Sequence, residues 1–177
     1  MNLNQLDISG VFLIEHDPYS DNRGEFYRSF CAEKLKSAGI PFSACQGNIS
    51  KNFKKGTLRG FHYQKKGTSE SKILSCITGS IYNVVVDLRK ESLTYKRTVS
   101  LSLKAEDSMS LLVPGGCANA FLTMCDNTIV HYYMADYYDP DNYAGFCFND
   151  PQFDIEWPFQ PKVISSKDMN LPFYKND

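Results

Sequence analysis

KILSCITGSIYNVVVDL, residues 72–88, decides the fold class. It holds two short runs rich in Ile, Val and Tyr, KILSCIT (72–78) and SIYNVVVDL (80–88), separated by one glycine. β-Branched and aromatic side chains fit a pleated surface, and a small-residue step between two such runs marks a turn. The Gly79–Ser80 step is the clearest hairpin signal in the chain. The same rhythm extends upstream through VFLIEH (11–16), EFYRSF (25–30), ACQGNIS (44–50) and TLRGFHY (57–63). Downstream it continues through TVSLSL (98–103), MSLLVP (109–114), NAFLTM (119–124) and TIVHYYMADYY (128–138). Clusters of Gly, Asn, Asp, Pro or Ser bound each run. Many short strands at this spacing predict an all-β sandwich or barrel.

One helix is predicted over AEKLKSAG (32–39), with Ser29 or Cys31 near its start and Gly39 as its stop. After Pro140 the chain reads as loop, with turn signals at DPDN (139–142) and NDP (149–151) and the only tryptophan, Trp157, in the tail. No repeat, low-complexity tract or linker interrupts the pattern, so one domain is expected to cover residues 1–177.

The bulk numbers narrow the function classes. A formal net charge of −1 gives no whole-chain field toward nucleic acid or anionic membrane. The densest cationic run, Lys51, Lys54 and Lys55, reads as a solvated loop before a strand. The N-terminus MNLNQLDISGVFLIE lacks the cationic start and apolar stretch of a secretory signal, and no segment is apolar enough to span a bilayer. Six cysteines, Cys31, Cys45, Cys76, Cys117, Cys125 and Cys147, show neither a CxxC pair nor zinc-site spacing. They read as buried free thiols in a reducing cytoplasm, and no metal site is expected.

Only three histidines are present, His16, His62 and His131. A base that works near neutral pH without a metal is most often histidine. His62 stands in LRGFHYQ (58–64), beside the cation Arg59 and between Phe61 and Tyr63. That setting suits a base in a lined pocket next to an anionic group. It equally suits a structural strand histidine with aromatic neighbours.

Nine collinear motifs then resemble one family, the dTDP-4-dehydrorhamnose 3,5-epimerases: GVFLIE (10–15), DNRGEFYRSF (21–30), QGNIS (46–50), TLRGFHYQ (57–64), SKILSCITGSIYNVVVDLR (71–89), VPGGCANAF (113–121), HYYMADYY (131–138), DPQFDIEWP (150–158) and SSKDMNLP (165–172). The resemblance implies a jelly-roll (cupin) fold with one or two short helices. It also implies an isomerase without cofactor, acting at C3 and C5 of a nucleotide-diphosphate-linked 4-keto-6-deoxy sugar. Hydrogens α to the ketone are removed to give an enolate and returned on the opposite face, with the ketone as electron sink. Such chemistry needs a base, an acid on the other face, and a group that holds the enolate oxygen.

By resemblance, His62 in the LRG-x-HYQ motif is the base and Asp168 in SSKD the carboxylate that supports it. Tyr132 in HYYMADYY delivers the second proton, and Lys72 in SKILSC meets the charge on the C4 oxygen. Strand alternation puts Tyr132 on the face opposite His131 and Tyr133, so only one face can serve. Arg23, Arg59 and Lys167 fall on the family's anion-clamp positions, Gln46 and Asn48 on polar substrate contacts, and Tyr138 on the ring that stacks with the nucleobase. The plain alternatives are a helix or turn cap for Asp168 after Ser165 and Ser166, and a surface lysine for Lys72. His16 and His131 read as non-catalytic.

Three positions depart from the family pattern. Asn119 stands where a histidine is usual, and Arg28 and Tyr143 stand where glutamates are frequent. All three are candidate substrate contacts. The exchanges raise the alternative of a sugar carried on CDP or GDP rather than dTDP. A C3-only epimerase and a non-catalytic sugar-nucleotide-binding paralogue are further alternatives. A ketoisomerase cupin would call for a second histidine near His62, where Tyr63 stands, and a metal-dependent cupin would call for a cluster of His with a carboxylate. The resemblance further implies a homodimer in which the first strands pair with the partner's sheet; separately, the alternating, apolar VFLIEH run would otherwise leave an exposed edge strand. Cytoplasmic location is the expectation.

Overall fold

Two antiparallel sheets, seen in the computed structural model over residues 1–65 and 70–175, face each other as a sandwich. Six strands build the larger sheet: β1 (Asn2–Gln5), β2 (Phe12–Glu15), β10 (Met109–Val113), β7 (Lys72–Thr78), β12 (Thr128–Met134) and β5 (Gln46–Asn52), in that spatial order. The other holds five: β13 (Tyr143–Gly145), β6 (Leu58–Gln64), β11 (Cys117–Thr123), β8 (Ser80–Asp87) and β9 (Thr98–Lys104). A separate hairpin, β3 (Tyr19–Asp21) and β4 (Gly24–Phe26), stands apart from both. The helices are α1 (Ala32–Ser37) and α2 (Ser166–Met169). The architecture is the all-β sandwich with two short helices, and the sheets remain open rather than closing into a barrel.

Alternation along the strands explains the core. Leu74, Cys76, Val85, Leu111, Val113, Phe121 and Val130 point between the sheets and are buried. Their neighbours point outward, yet many are also covered. Val84 and Val86 pack with Phe61, Phe146 and Phe153 under the C-terminal segment. Ile73 and Leu112 pack with Leu35 of α1 and Phe42. Burial on both faces is why β7 and β8 read as nearly unbroken apolar runs. Each fully buried side chain of this size contributes about 1.5–3 kcal/mol before entropy is counted.

Three expectations from sequence need correction. Gly79 does not close a hairpin: β7 and β8 lie in different sheets, so the glycine turns a corner between them. Its φ is 78°, and a Cβ there would stand 2.6 Å from Thr128 Oγ1. Period-2 patterning reports a turn but not which sheet the next strand joins. Second, VFLIEH is not an edge strand, because β1 covers β2 on one side and β10 on the other; the edges of this sheet are β1 and β5. Third, all six cysteines are free but only Cys76 and Cys117 are buried, while Cys45 and Cys125 are exposed. Burial pushes the Cys76 thiol up to about 11 and the Cys117 thiol up to about 12, so those two stay protonated and unreactive.

The helix begins after Cys31 and Gly39 adopts φ 75° just past its end. The chain beyond residue 138 is less irregular than its turn residues suggest. It adds β13 to the edge of the five-stranded sheet, then covers that sheet's outer face, with Trp157 Nε1 donating to the Phe148 carbonyl at 3.0 Å. No helix among the described residues is long and apolar enough to cross a membrane.

Candidate active site

A cavity of about 430 Å³ opens between the sheets. The five-stranded sheet contributes Arg59 and His62 from β6, Asn119 and Phe121 from β11, and Tyr143 from β13. The six-stranded sheet contributes Lys72 and Leu74 from β7, Val130, Tyr132 and Met134 from β12, and Ile49, Ser50 and Lys51 from β5. His62 and Tyr132 therefore enter one cavity from opposite walls.

His62 is fixed from behind. Its Nε2 lies 2.8 Å from Asp168 Oδ1, and Asp168 Oδ2 accepts the Gly60 backbone N–H at 3.3 Å. A carboxylate only accepts, so Nε2 carries hydrogen and Nδ1 is the basic nitrogen of the neutral ring. Asp168 is 6% exposed. Burial works to raise its pKa, but the His62 hydrogen bond and charge, the Gly60 N–H and the Lys167 charge bring it below the usual carboxylate value. The cap role goes to Ser165, whose Oγ accepts the Asp168 backbone N–H at 3.0 Å; the Asp168 side chain is thereby left for His62. Gly60 makes this approach possible. With φ 114°, a Cβ there would sit 2.5 Å from the Asn119 carbonyl oxygen.

On the other wall, Tyr132 points into the cavity while His131 and Tyr133 share the outer face, their rings 4.5 Å apart. Burial, aided by the Glu70 charge and opposed by Arg59, raises the Tyr132 pKa, so its phenol keeps its proton at neutral pH. Lys72 is paired with Glu70 at 3.2 Å, and Glu70 is 7% exposed. The Lys72 charge is thus held in place by a buried counter-charge.

The remaining predicted site residues divide into three groups. Arg59, Asn119, Tyr138, Tyr143 and Lys167 line the cavity. The Arg59 Nε donates to Asn52 Oδ1 at 2.8 Å, the Asn119 and Asn83 amides meet at 2.8 Å, and Lys167 Nζ lies 4.1 Å over the Tyr143 ring. Gln46 and Asn48 act behind the lining: Gln46 Oε1 accepts the Tyr138 N–H at 2.7 Å, and the Asn48 amide reaches Met134 Sδ at 3.3 Å. Arg23 and Arg28 do not enter the cavity of their own chain. Arg23 is bound to Asp21 with its side chain 83% exposed, and Arg28 lies 3.9 Å from Cys31 Sγ. Sequence reasoning missed Glu70, Asn52 and Asn83. Only Glu70 left a signal, since it stands two residues before Lys72 and so on the same side of an extended chain.

Among the described residues no group of three or more His, Cys, Asp or Glu side chains is placed to hold a metal. The His16 Nε2 is 2.7 Å from Ser110 Oγ in a buried contact on the other side of the six-stranded sheet, apart from the cavity.

A family model described as dTDP-4-dehydrorhamnose 3,5-epimerase matches residues 5–176. The chain belongs to this family. It is 33% identical over 173 residues to the dTDP-4-dehydrorhamnose 3,5-epimerase of Escherichia coli strain K12, covering 97% of this chain and 93% of that one. The crystal structure of the Bacillus anthracis str. Ames epimerase with TDP and pyrophosphate bound superposes with a TM-score of 0.94 at 35% identity, covering 98% and 99% of the two chains. The Legionella pneumophila epimerase in complex with dTDP-4-keto-L-rhamnose gives a TM-score of 0.88 at 33% identity, covering 99% of each. The protein is accordingly an isomerase-class carbohydrate epimerase with the family's cupin-type fold, and 3,5-epimerisation of a dTDP-linked sugar stands over the CDP, GDP, C3-only and non-catalytic alternatives.

Proposed function

We propose that this chain inverts C3 and C5 of a dTDP-linked 4-keto-6-deoxy hexose with His62 as base and Tyr132 as acid. His62 Nδ1 takes the proton from a carbon next to the ketone. The electron pair of that C–H bond moves into the ring and the C4 oxygen takes the negative charge. Lys72 meets that charge, and its pairing with Glu70 fixes where the ammonium stands. Tyr132 gives its phenolic proton to the opposite face, and solvent exchange then restores both groups. Asp168 stabilises the imidazolium that forms. The observation that carries this reading is the entry of His62 and Tyr132 into one cavity from opposite sheets.

Arg59 and Lys167 line the mouth as cations for the diphosphate, and the half-exposed Tyr138 ring offers a face to the base. Titrating His62→Ala with dTDP by calorimetry, and incubating it with substrate in deuterated buffer, tests the assignment. Binding retained with loss of hydrogen exchange at C3 and C5 is expected; exchange at the parent rate contradicts it.

The assembly proposed is a cytoplasmic homodimer in which the β3–β4 hairpin of one chain lies against the β5 edge of the other. Tyr19 and Phe26 on the hairpin, and Ile49 and Phe53 on or just after β5, are 67%, 77%, 67% and 72% exposed. Ile49, Ser50 and Lys51 of β5 also line the cavity. A hairpin on that edge brings Arg23 toward the diphosphate site of the partner. Mixing inactive Arg23→Ala and His62→Ala chains then restores activity, because one site of each mixed dimer is complete. No recovery on mixing, or a monomer in sedimentation at micromolar concentration, contradicts the arrangement.

A further inference from the structure

One ring touches three working groups of the cavity. Tyr143 lies on β13, which pairs with β6 so that Tyr143 faces Gln64 and Gly145 faces His62. The Tyr143 ring is 5.2 Å from the His62 ring and 5.6 Å from the Tyr138 ring, the latter edge-on. Lys167 Nζ stands 4.1 Å over its centroid, well inside the range where a ring face attracts a cation. Among the described residues Lys167 has no salt bridge, and the Tyr143 hydroxyl has no hydrogen-bond partner.

The kind of contact matters. A carboxylate at this position would hold the ammonium by cancelling its charge. A ring face holds it through the quadrupole and leaves the full positive charge for a third group. The neighbouring Asp168 is already committed to His62 and the Gly60 N–H. We propose that Tyr143 is a positioning residue whose ring holds the Lys167 ammonium, free of any direct salt bridge, at the cavity mouth for a nucleoside diphosphate, while the same ring packs against the His62 imidazole. The proposal rests on the epimerase reading for the identity of the ligand. Its geometry is independent of that reading.

Burial, with the Asp168 charge adding, drives the Tyr143 pKa upward, so the ring stays neutral and never competes for the ammonium as a phenolate. The role lies in affinity for the charged part of the ligand, with a secondary effect on turnover through His62.

The test compares Tyr143→Phe, Tyr143→Leu and Tyr143→Glu by calorimetry with thymidine diphosphate and with thymidine, and by kcat and KM on the dTDP-4-keto-6-deoxy sugar. Phe keeps the quadrupole, Leu keeps only bulk, and Glu cancels the charge. Thymidine diphosphate is expected to bind Tyr143→Leu about fivefold more weakly than Tyr143→Phe, and Tyr143→Glu about tenfold more weakly. Thymidine, which lacks the phosphates, shows less than half of each loss, and KM moves more than kcat. In a Lys167→Met background the difference between Phe and Leu disappears. Equal affinities of the Phe and Leu variants for the diphosphate, or equal losses for nucleoside and diphosphate, overturn the proposal, with circular dichroism and melting curves confirming that each variant is folded. Absence of turnover in the parent would defeat the epimerase reading and still leave the diphosphate titrations to decide this one.

Discussion

The two walls of the cavity hold His62 and Tyr132, the proposed base and acid, by different means. On the five-stranded wall, His62 is tied to a buried carboxylate at 2.8 Å, itself tied to the Gly60 backbone at 3.3 Å. On the six-stranded wall, the Tyr132 hydroxyl has no hydrogen-bond partner among the described residues and is kept protonated by burial. A base must be oriented and its cation stabilised after it takes a proton, which needs a carboxylate. An acid must only arrive protonated and be free to reach the substrate, which needs desolvation and an open partner site. The difference in construction matches the difference in task.

Removing each group sharpens this contrast. His62→Ala is expected to lower kcat by about 10³- to 10⁴-fold, since nothing else on that wall can act as base. Tyr132→Phe is expected to slow inversion by about 10²-fold, a smaller loss because solvent can protonate the enolate slowly. Asp168→Asn keeps the shape but loses the charge that stabilises the imidazolium, and kcat should fall by about tenfold to hundredfold. Steady-state kinetics at saturating substrate ranks all three. If Asp168→Asn cost more than His62→Ala, the carboxylate would be the base and the assignment would reverse.

A buried carboxylate away from the cavity serves as a control. Asp87 at the end of β8 is fully buried. Burial raises its pKa, but hydrogen bonds from Arg89, Ser92 and Thr94 overcome this and draw it down to about 2. A depressed carboxylate contributes stability that is fully present above its unfolded value near 3.8 and is lost as pH falls toward the folded value. Asp87→Asn should therefore cost about 2 kcal/mol at neutral pH and flatten the acid limb between pH 4 and 2, with kinetics of the remaining folded enzyme unchanged. Denaturant titrations at several pH values measure it.

How much the sequence disclosed follows from what each residue does. β7, β8 and β12 were readable to within a few residues because their apolar side chains recur on both covered faces. Asn2–Gln5, Tyr19–Asp21 and Tyr143–Gly145 were not, since strands of three or four mixed residues carry no period. Strand alternation correctly separated the cavity-facing Tyr132 from His131 and Tyr133, because a period of two leaves no intermediate orientation. Asp168 was different. From sequence a cap and a partner to His62 look alike, and only the position of Ser165 separates them. Asn52 and Asn83 act on other side chains, so nothing in their own surroundings announces them, and Glu70 is announced only by its two-residue spacing from Lys72. The placement of Arg23 and Arg28 outside the cavity was invisible for a related reason: motif position names a residue and says nothing of where the fold carries its side chain.

Turnover of the dTDP-linked 4-keto-6-deoxy sugar in deuterated buffer, followed by NMR for the parent and Tyr132→Phe, tests opposed proton transfer most directly. The parent should take up deuterium at C3 and C5 with inversion, and Tyr132→Phe should take it up from the His62 side with configuration largely retained. Inversion by Tyr132→Phe at the parent rate would contradict the account.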